Sequence, residues 1–219
     1  MEHLPIFINI KQKPTLVVGG GDIALRKINL LLKAKAKVDC LSPLFCEDIN
    51  TLFKDGYIKL IKKSFEQADI KDYSVIIAAT DDSSVNSLIS SIAHDKRIPV
   101  NVVDSPALSS FIMPSIVDRS PVIIAVSSAG KAPVLARIIR AKLETVIPSS
   151  YGILAEIAGE YRQRVKDRFS QIKDRRAFWE TAFSGVIAEK VFSGRINEAK
   201  NDIEKQLNDS VEMELGEVY

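Results

Sequence analysis

Histidine and cysteine are scarce in this 219-residue chain, with two of each. His3 and His94 stand alone, which argues against a His-based zinc site. Cys40 and Cys46 fall in no metal-ligand spacing and read as buried or idle thiols of a reducing compartment. Charge of one sign is missing too: 30 Lys and Arg against 28 Asp and Glu leave a formal +2, too little to suggest nucleic-acid binding. No apolar run approaches the roughly 20 residues that a membrane helix needs. Met1-Glu2-His3-Leu4-Pro5 has neither the basic start nor the long apolar core of a signal peptide. Internal repeats and low-complexity segments are also lacking. The expectation is a cytoplasmic protein with no membrane or nucleic-acid partner, long enough for one large domain or two small ones.

The most informative stretch is Val17-Val18-Gly19-Gly20-Gly21-Asp22-Ile23-Ala24. An apolar run ends in three glycines, and aliphatic residues at helical spacing follow, which reads as strand, tight turn and helix. Glycine lets the turn bend and lets a ligand approach the backbone, while the helix start presents free N–H groups to an anion. Gly19, Gly21 and Ala24 occupy the three positions of a dinucleotide fingerprint, with Asp22 and Ile23 beside them. The alternative is a glycine-rich turn that binds nothing. Further strand-like runs at 15–18, 38–41, 58–61, 74–79 and 100–103 alternate with helical patterns at 21–36, 45–54 and 83–95. Such alternation predicts an α/β, doubly wound parallel sheet.

Ligands in such sheets sit at the carboxyl ends of strands. That rule selects Thr80 and Asp81 after the fourth run as cofactor neighbours, against helix capping by Asp82 or Ser83. It also selects Ser42, Pro43 and Leu44 after the second run, near the adenosine ribose. Asp39 lies inside its strand rather than at the tip, so the usual acid for the ribose 2′-hydroxyl is missing. No cation follows closely, and Glu47 would repel a 2′-phosphate. NAD is therefore expected over NADP. Asp104 follows the run 100–103 and would face the ligand crevice as a general base; its alternative is a turn-forming Asp before Ser105-Pro106.

Beyond residue 110 the pattern changes. Residues 111–117 and 121–126 read as antiparallel strands around Asp118-Arg119-Ser120. A loop, Ser127 to Pro133, opens a helix that runs to about Val146. Its apolar face carries Val134, Leu135, Ile138, Ile139, Leu143 and Val146; Arg137, Arg140 and Lys142 lie opposite. From Ser149 onward helices are expected at 150–169, 174–184, 186–192 and 195–208, with Gly185 and Gly194 as stops. Seven basic against two acidic residues between Arg162 and Arg176 make either a solvated face or a landing site for a polyanion.

The chain resembles the N-terminal half of siroheme synthase, the precorrin-2 dehydrogenase and sirohydrochlorin ferrochelatase module. The matching stretches are His3–Phe7, Val17–Lys27, Ala78–Asp82, Asn101–Asp104, Ser110–Ile116, Asp118–Pro121, Ala125–Ser128 and Pro133–Arg137. The resemblance implies oxidation of precorrin-2 with NAD⁺, then insertion of Fe²⁺, as substrate, into sirohydrochlorin. It ties Asp104 to both steps, including a transient approach to the metal. A tetrapyrrole with many carboxylates gives Arg137 and Arg140 a substrate role, and Ser128 would line its cavity or serve as a satisfied loop hydroxyl. The implied architecture is a Rossmann-type NAD-binding domain over 1–113, a small α+β dimerisation region over 114–148 and a helical domain over 149–214, assembled as a homodimer. Residues 215–219 resemble the lead-in to a methyltransferase domain of the full-length chain. Alternatives are a dehydrogenase that leaves chelation to another protein and a dinucleotide-sensing module without turnover.

Overall fold

The computed structural model describes residues 2–216. Residues 217–219, the end of the stretch expected to lead into a methyltransferase domain, lie outside the described residues. The chain divides into two compact units. One comprises the chain through Met113 together with Ser128–Ala132; the other comprises Pro114–Ser127 and the chain from Pro133 onward.

The first unit is built on a parallel five-stranded sheet in the order β3-β2-β1-β4-β5. The strands are β1 (Pro14–Val18), β2 (Lys37–Leu41), β3 (Ile58–Ile61), β4 (Val75–Ala78) and β5 (Val100–Val102). The helices are α1 (Asp22–Lys33), α2 (Glu47–Lys54) and α3 (Ser83–Asp95). β4 is buried at every position, as a central strand covered on both faces must be. Leu16, Ile76, Ile89 and Val100 form one core; Val17, Ala24, Ile28 and Ile77 form the other. Successive residues of β1 and β4 thus feed opposite faces of the sheet. The strand order reverses between β1 and β4, which opens a crevice at their carboxyl ends.

α1 stops at Lys33, three residues short of its apolar pattern. Lys35 adopts a left-handed conformation (φ +58°), and the N–H groups of Ala34, Lys35 and Ala36 bond back to Leu30, Leu32 and Leu31. A glycine would have announced this stop. β2 carries Asp39, whose carboxylate accepts the Tyr73 hydroxyl at 2.9 Å. Burial, then the bond to Asp39, pushes the Tyr73 hydroxyl well above the usual phenol range, so it remains a donor.

The second unit opens with a hairpin, β6 (Ser115–Arg119) and β7 (Val122–Val126). It differs from the expected hairpin at both ends. Phe111 and Met113 pack on the first unit's core instead of extending the strand. Asp118 and Arg119, expected in the turn, pair with Ile123 and Val122, leaving Ser120-Pro121 as the turn. Arg119 is held there because its guanidinium donates to the Ile147 carbonyl at 2.8 Å. The helices α4 (Pro133–Val146), α5 (Ser150–Arg168), α6 (Ile172–Ser184), α7 (Val186–Phe192) and α8 (Ile196–Gly216) follow. α5, α7 and α8 share a core that includes Leu154, Tyr161, Ile187, Val191 and Ile203. No helix among the described residues is long and apolar enough to cross a membrane.

Tyr73→Phe leaves the half-buried Asp39 carboxylate without this donor. It is expected to cost about 1–3 kcal/mol, read as a lower urea midpoint at unchanged slope. An unchanged midpoint would show that water replaces the phenol.

Candidate dinucleotide site

Three glycines at the end of β1 do three different things. Gly19 has φ +130°, and a Cβ there would stand 2.2 Å from the Ala79 carbonyl oxygen. Gly20 faces the opposite neighbour: a Cβ would stand 1.8 Å from the Leu44 carbonyl oxygen. The Cys46 N–H donates to the Gly20 carbonyl at 2.8 Å, and the Gly19 N–H donates to the Leu41 carbonyl at 2.9 Å. The Cys40 thiol donates to the Gly19 carbonyl at 3.3 Å. Burial, with a smaller contribution from Cys46, pushes that thiol up to about 12, so it stays protonated and fit for the role. Gly21 is different. Nothing lies within 4 Å of a Cβ built there, and its side faces open space at the first turn of α1. Ala24, the third fingerprint position, is fully buried where the helix meets the sheet.

The open space is a cavity of about 670 Å³ along the carboxyl ends of the strands. Its walls come from the glycine loop with Asp22 and Ile23, from Ser42, Pro43 and Leu44, and from Thr80 and Asp81. All nine residues expected around the cofactor therefore meet at one cavity. Other wall residues, Ser64, Phe65 and Val85 among them, were missed. The first two follow β3 at the same edge of the sheet, so the strand-end rule extended to β3 would have found them.

Thr80 and Asp82 shape the β4 exit. Thr80 Oγ1 donates to Asn86 Oδ1 at 2.8 Å, and Asn86 Nδ2 donates to the Thr80 carbonyl at 2.8 Å. Asp82 caps α3, accepting the Ser84 and Val85 N–H groups at 2.8 and 3.1 Å. The Ser84 hydroxyl, then these two N–H groups, hold the Asp82 carboxyl below the usual carboxylate range. Because Asp82 fills the capping role, Asp81 is left at the cavity wall.

Asp104 is not among the residues that wall this cavity. It follows β5 in a left-handed conformation (φ +57°), exposed, in a turn closed by the Ser105 N–H to the Val102 carbonyl at 3.1 Å. Asp tolerates that conformation better than most residues. The neighbouring Pro106 comes within 3.7 Å of a Cβ built at Gly130, so the Ser128–Ala132 loop packs beside the Asp104 turn. In that loop the Ser128 hydroxyl accepts the Ala132 N–H at 2.9 Å.

Arg137 and Arg140 lie on α4 in the second unit. Arg137 is exposed, while Arg140 pairs with Glu144 at 2.8 Å. The apolar face of α4 is solvent-exposed, with Val134 60 % and Leu135 52 % accessible. Arg162, Lys166, Arg175 and Arg176 border a groove of about 1000 Å³ between α5 and α6, floored by Trp179 and Phe183. Arg164 is turned away into a fork with Glu204.

A family model described as "Putative NAD(P)-binding" matches residues 6–115. The chain belongs to this family. Models described as "Sirohaem biosynthesis protein central" and "Sirohaem synthase dimerisation region" match residues 119–145 and 150–207. The residues matched by the dimerisation region are those of helices α5, α6 and α7 and the first part of α8. The chain is similar along its whole length to siroheme synthases. It is 60% identical to that of Ruthia magnifica subsp. Calyptogena magnifica. For Vesicomyosocius okutanii the figure is 58%, and for Methylobacillus flagellatus 49%. The chain spans about half the length of these curated relatives, 46–47%. A solved structure titled "SirC, precorrin-2 dehydrogenase" shares the fold, with a TM-score of 0.73 at 21% identity over 94% of this chain and 100% of that one.

The glycines separate folding from binding. Gly21→Asp is expected to fold and to lose NAD⁺ binding, since a Cβ there has nothing within 4 Å and the carboxylate adds negative charge at the cavity wall. Gly19→Ala is expected to lower thermal stability through its clash and its φ. Calorimetry and thermal melts on both variants check this; a Gly21→Asp protein that binds NAD⁺ normally would remove the cavity from dinucleotide recognition.

Proposed function

We propose that this chain oxidises precorrin-2 to sirohydrochlorin with NAD⁺, and that the same site then inserts Fe²⁺ into the product. The observation that carries this reading is the alignment of three carboxyl ends in one parallel sheet: the open glycine loop after β1, the Thr80-Asp81 wall after β4 and Asp104 after β5. The similarity of this whole chain to about half of each siroheme synthase supplies the substrate class.

The residues fit a dinucleotide. Gly21 leaves room for a pyrophosphate beside the α1 N-terminus, Ser42 to Leu44 suit the adenosine ribose, and Thr80 and Asp81 border the far wall. The dinucleotide would supply a hydride acceptor. NAD suits the site better than NADP. Asp39 is engaged by Tyr73, Glu47 opens α2, and no cation stands among the wall residues.

Asp104 Oδ would take the proton lost with the hydride from precorrin-2. In chelation the same carboxylate would accept pyrrole protons and face the incoming Fe²⁺, which the macrocycle then holds. Arg137 and Arg140 would attract substrate carboxylates, and Ser128 would border the macrocycle near the Asp104 turn. The exposed apolar face of α4 and the match to a dimerisation region favour a homodimer. The domain scheme 1–113, 114–148 and 149–214, a methyltransferase domain in the full-length chain, and a cytoplasmic location belong to the same reading.

Asp104→Asn keeps the shape and the tolerance for left-handed backbone, whereas Ala at φ +57° adds a backbone cost of about 1 kcal/mol. Asp104→Asn is therefore expected to fold and bind NAD⁺ normally while losing dehydrogenation by roughly 10²–10⁴-fold. Chelation of preformed sirohydrochlorin is expected to fall with it. Lost chelation with intact oxidation would make Asp104 a metallation residue only, and full activity in both assays would leave it a turn residue.

A further inference from the structure

The groove between α5 and α6 in the second unit has no part in the function proposed so far. Its volume is about 1000 Å³, and it shares no lining residue with the dinucleotide cavity. Arg162 and Lys166, four residues apart, stand on one face of α5. Gly159, three residues before Arg162, lines the groove too, and a Cβ built there meets nothing within 4 Å. The facing stripe of α6 supplies Arg175, Arg176, Trp179 and Phe183. The Trp179 and Phe183 rings are stacked, 5.3 Å apart and 18° from parallel. Phe183 is 42% exposed.

The charge at the groove is of one sign. Four cations border it, and no Asp or Glu is among its lining residues. Arg162 and Lys166 are exposed, and neither forms an ion pair among the described residues. Arg175 donates to the Ser170 and Gln171 carbonyls at 3.0 and 3.4 Å, which leaves its charge uncompensated. Arg176 pairs with Glu180 at 2.7 Å, an exposed pair of the kind that holds weakly. Carboxylates of the same helix bundle are engaged elsewhere, Glu160 by Lys200 and Glu204 by Arg164. An aromatic floor under a rim of cations suits a flat ring system with carboxylates round its edge. The volume stands at the upper end of ligand pockets, about 300–1000 Å³.

We infer that the α5–α6 groove is a tetrapyrrole-binding site, with the macrocycle on Trp179 and Phe183 and its carboxylates on Arg162, Lys166, Arg175 and Arg176. The ligand class rests on the precorrin-2 reading. The groove gives the chain a station for the macrocycle in addition to the one where it reacts. A second copy of the chain is the competing occupant, because the dimerisation match covers both helices. A two-fold contact centred on the groove would set the four cations against the same four, which like charges oppose.

The test titrates metal-free sirohydrochlorin, without oxygen, into the 219-residue chain. Absorbance counts the molecules bound, and quenching of Trp179, the single tryptophan, follows the groove. Two molecules per chain are expected, one in the groove and one at the reaction site. Arg162→Gln with Lys166→Gln is expected to weaken the groove site about tenfold, and Arg162→Lys with Lys166→Arg to retain it. Lys11→Gln with Lys13→Gln removes the same charge from exposed positions of the first unit and is expected to stay within about twofold of wild type. Thermal melts confirm that the variants fold. An unchanged titration in the groove variant overturns the inference, and so does equal weakening in both neutralised variants, which net charge alone would explain. A shift from dimer to monomer in sedimentation, with sirohydrochlorin still bound, also overturns it and assigns the groove to the second copy. Precorrin-2 oxidation is assayed separately: groove binding without NADH formation would sink the precorrin-2 reading and leave the groove a tetrapyrrole site.

Discussion

Two backbone contacts set the geometry of the first unit: Gly19 against the Ala79 carbonyl and Gly20 against the Leu44 carbonyl. They fasten the end of β1 to its neighbours on both sides, β4 and β2, where the sheet order reverses. A side chain at either position would push one strand exit away and distort the crevice between them. The hydrogen bonds that Cys40 and Cys46 donate to this loop, and the one its Gly19 N–H donates to the Leu41 carbonyl, act within that constraint. With Gly19 and Gly20 packed, Gly21 is free to face the cavity, and the first turn of α1 is left open for an anion. The binding surface exists because two of the three glycines are occupied in holding the sheet together.

The division of labour among the glycines was partly legible in the sequence. The fingerprint spacing picked out Gly19, Gly21 and Ala24, and the strand-end rule found the loops at Ser42 and Thr80, because both depend on local pattern and chain order. The packing role of Gly20 was not legible, since it depends on a loop more than twenty residues away. Ser64 and Phe65 were missed for a different reason: they lie three and four residues past β3, a strand end to which the rule was not applied. The stop of α1 was hidden because Lys35 takes the left-handed position that a glycine usually signals.

Asp104 shows both what pattern reading reaches and where it ends. Its place after a buried strand was right, and so was its turn-forming character; the left-handed backbone joins the two. Its absence from the cavity wall was not readable, because the walls are set by loops that follow other strands. In the second unit α5, α6 and α7 fell close to their expected spans, with Gly185 and Gly194 as stops, whereas α8 runs to Gly216, eight residues past its expected end. The hairpin shifted because Arg119 is fixed by a carbonyl far along the chain. Tertiary hydrogen bonds moved the boundaries that local propensity alone set elsewhere.

The central claim is that a dinucleotide cavity and a strand-end carboxylate together oxidise a tetrapyrrole. Anaerobic incubation of this chain with precorrin-2 and NAD⁺, followed by ultraviolet-visible absorbance, tests it most directly. The account predicts that the sirohydrochlorin spectrum and NADH appear together in equal amounts, and that neither appears when NAD⁺ is left out. Tight binding of NAD⁺ with no conversion of precorrin-2 would contradict it and leave a dinucleotide-binding module without this turnover.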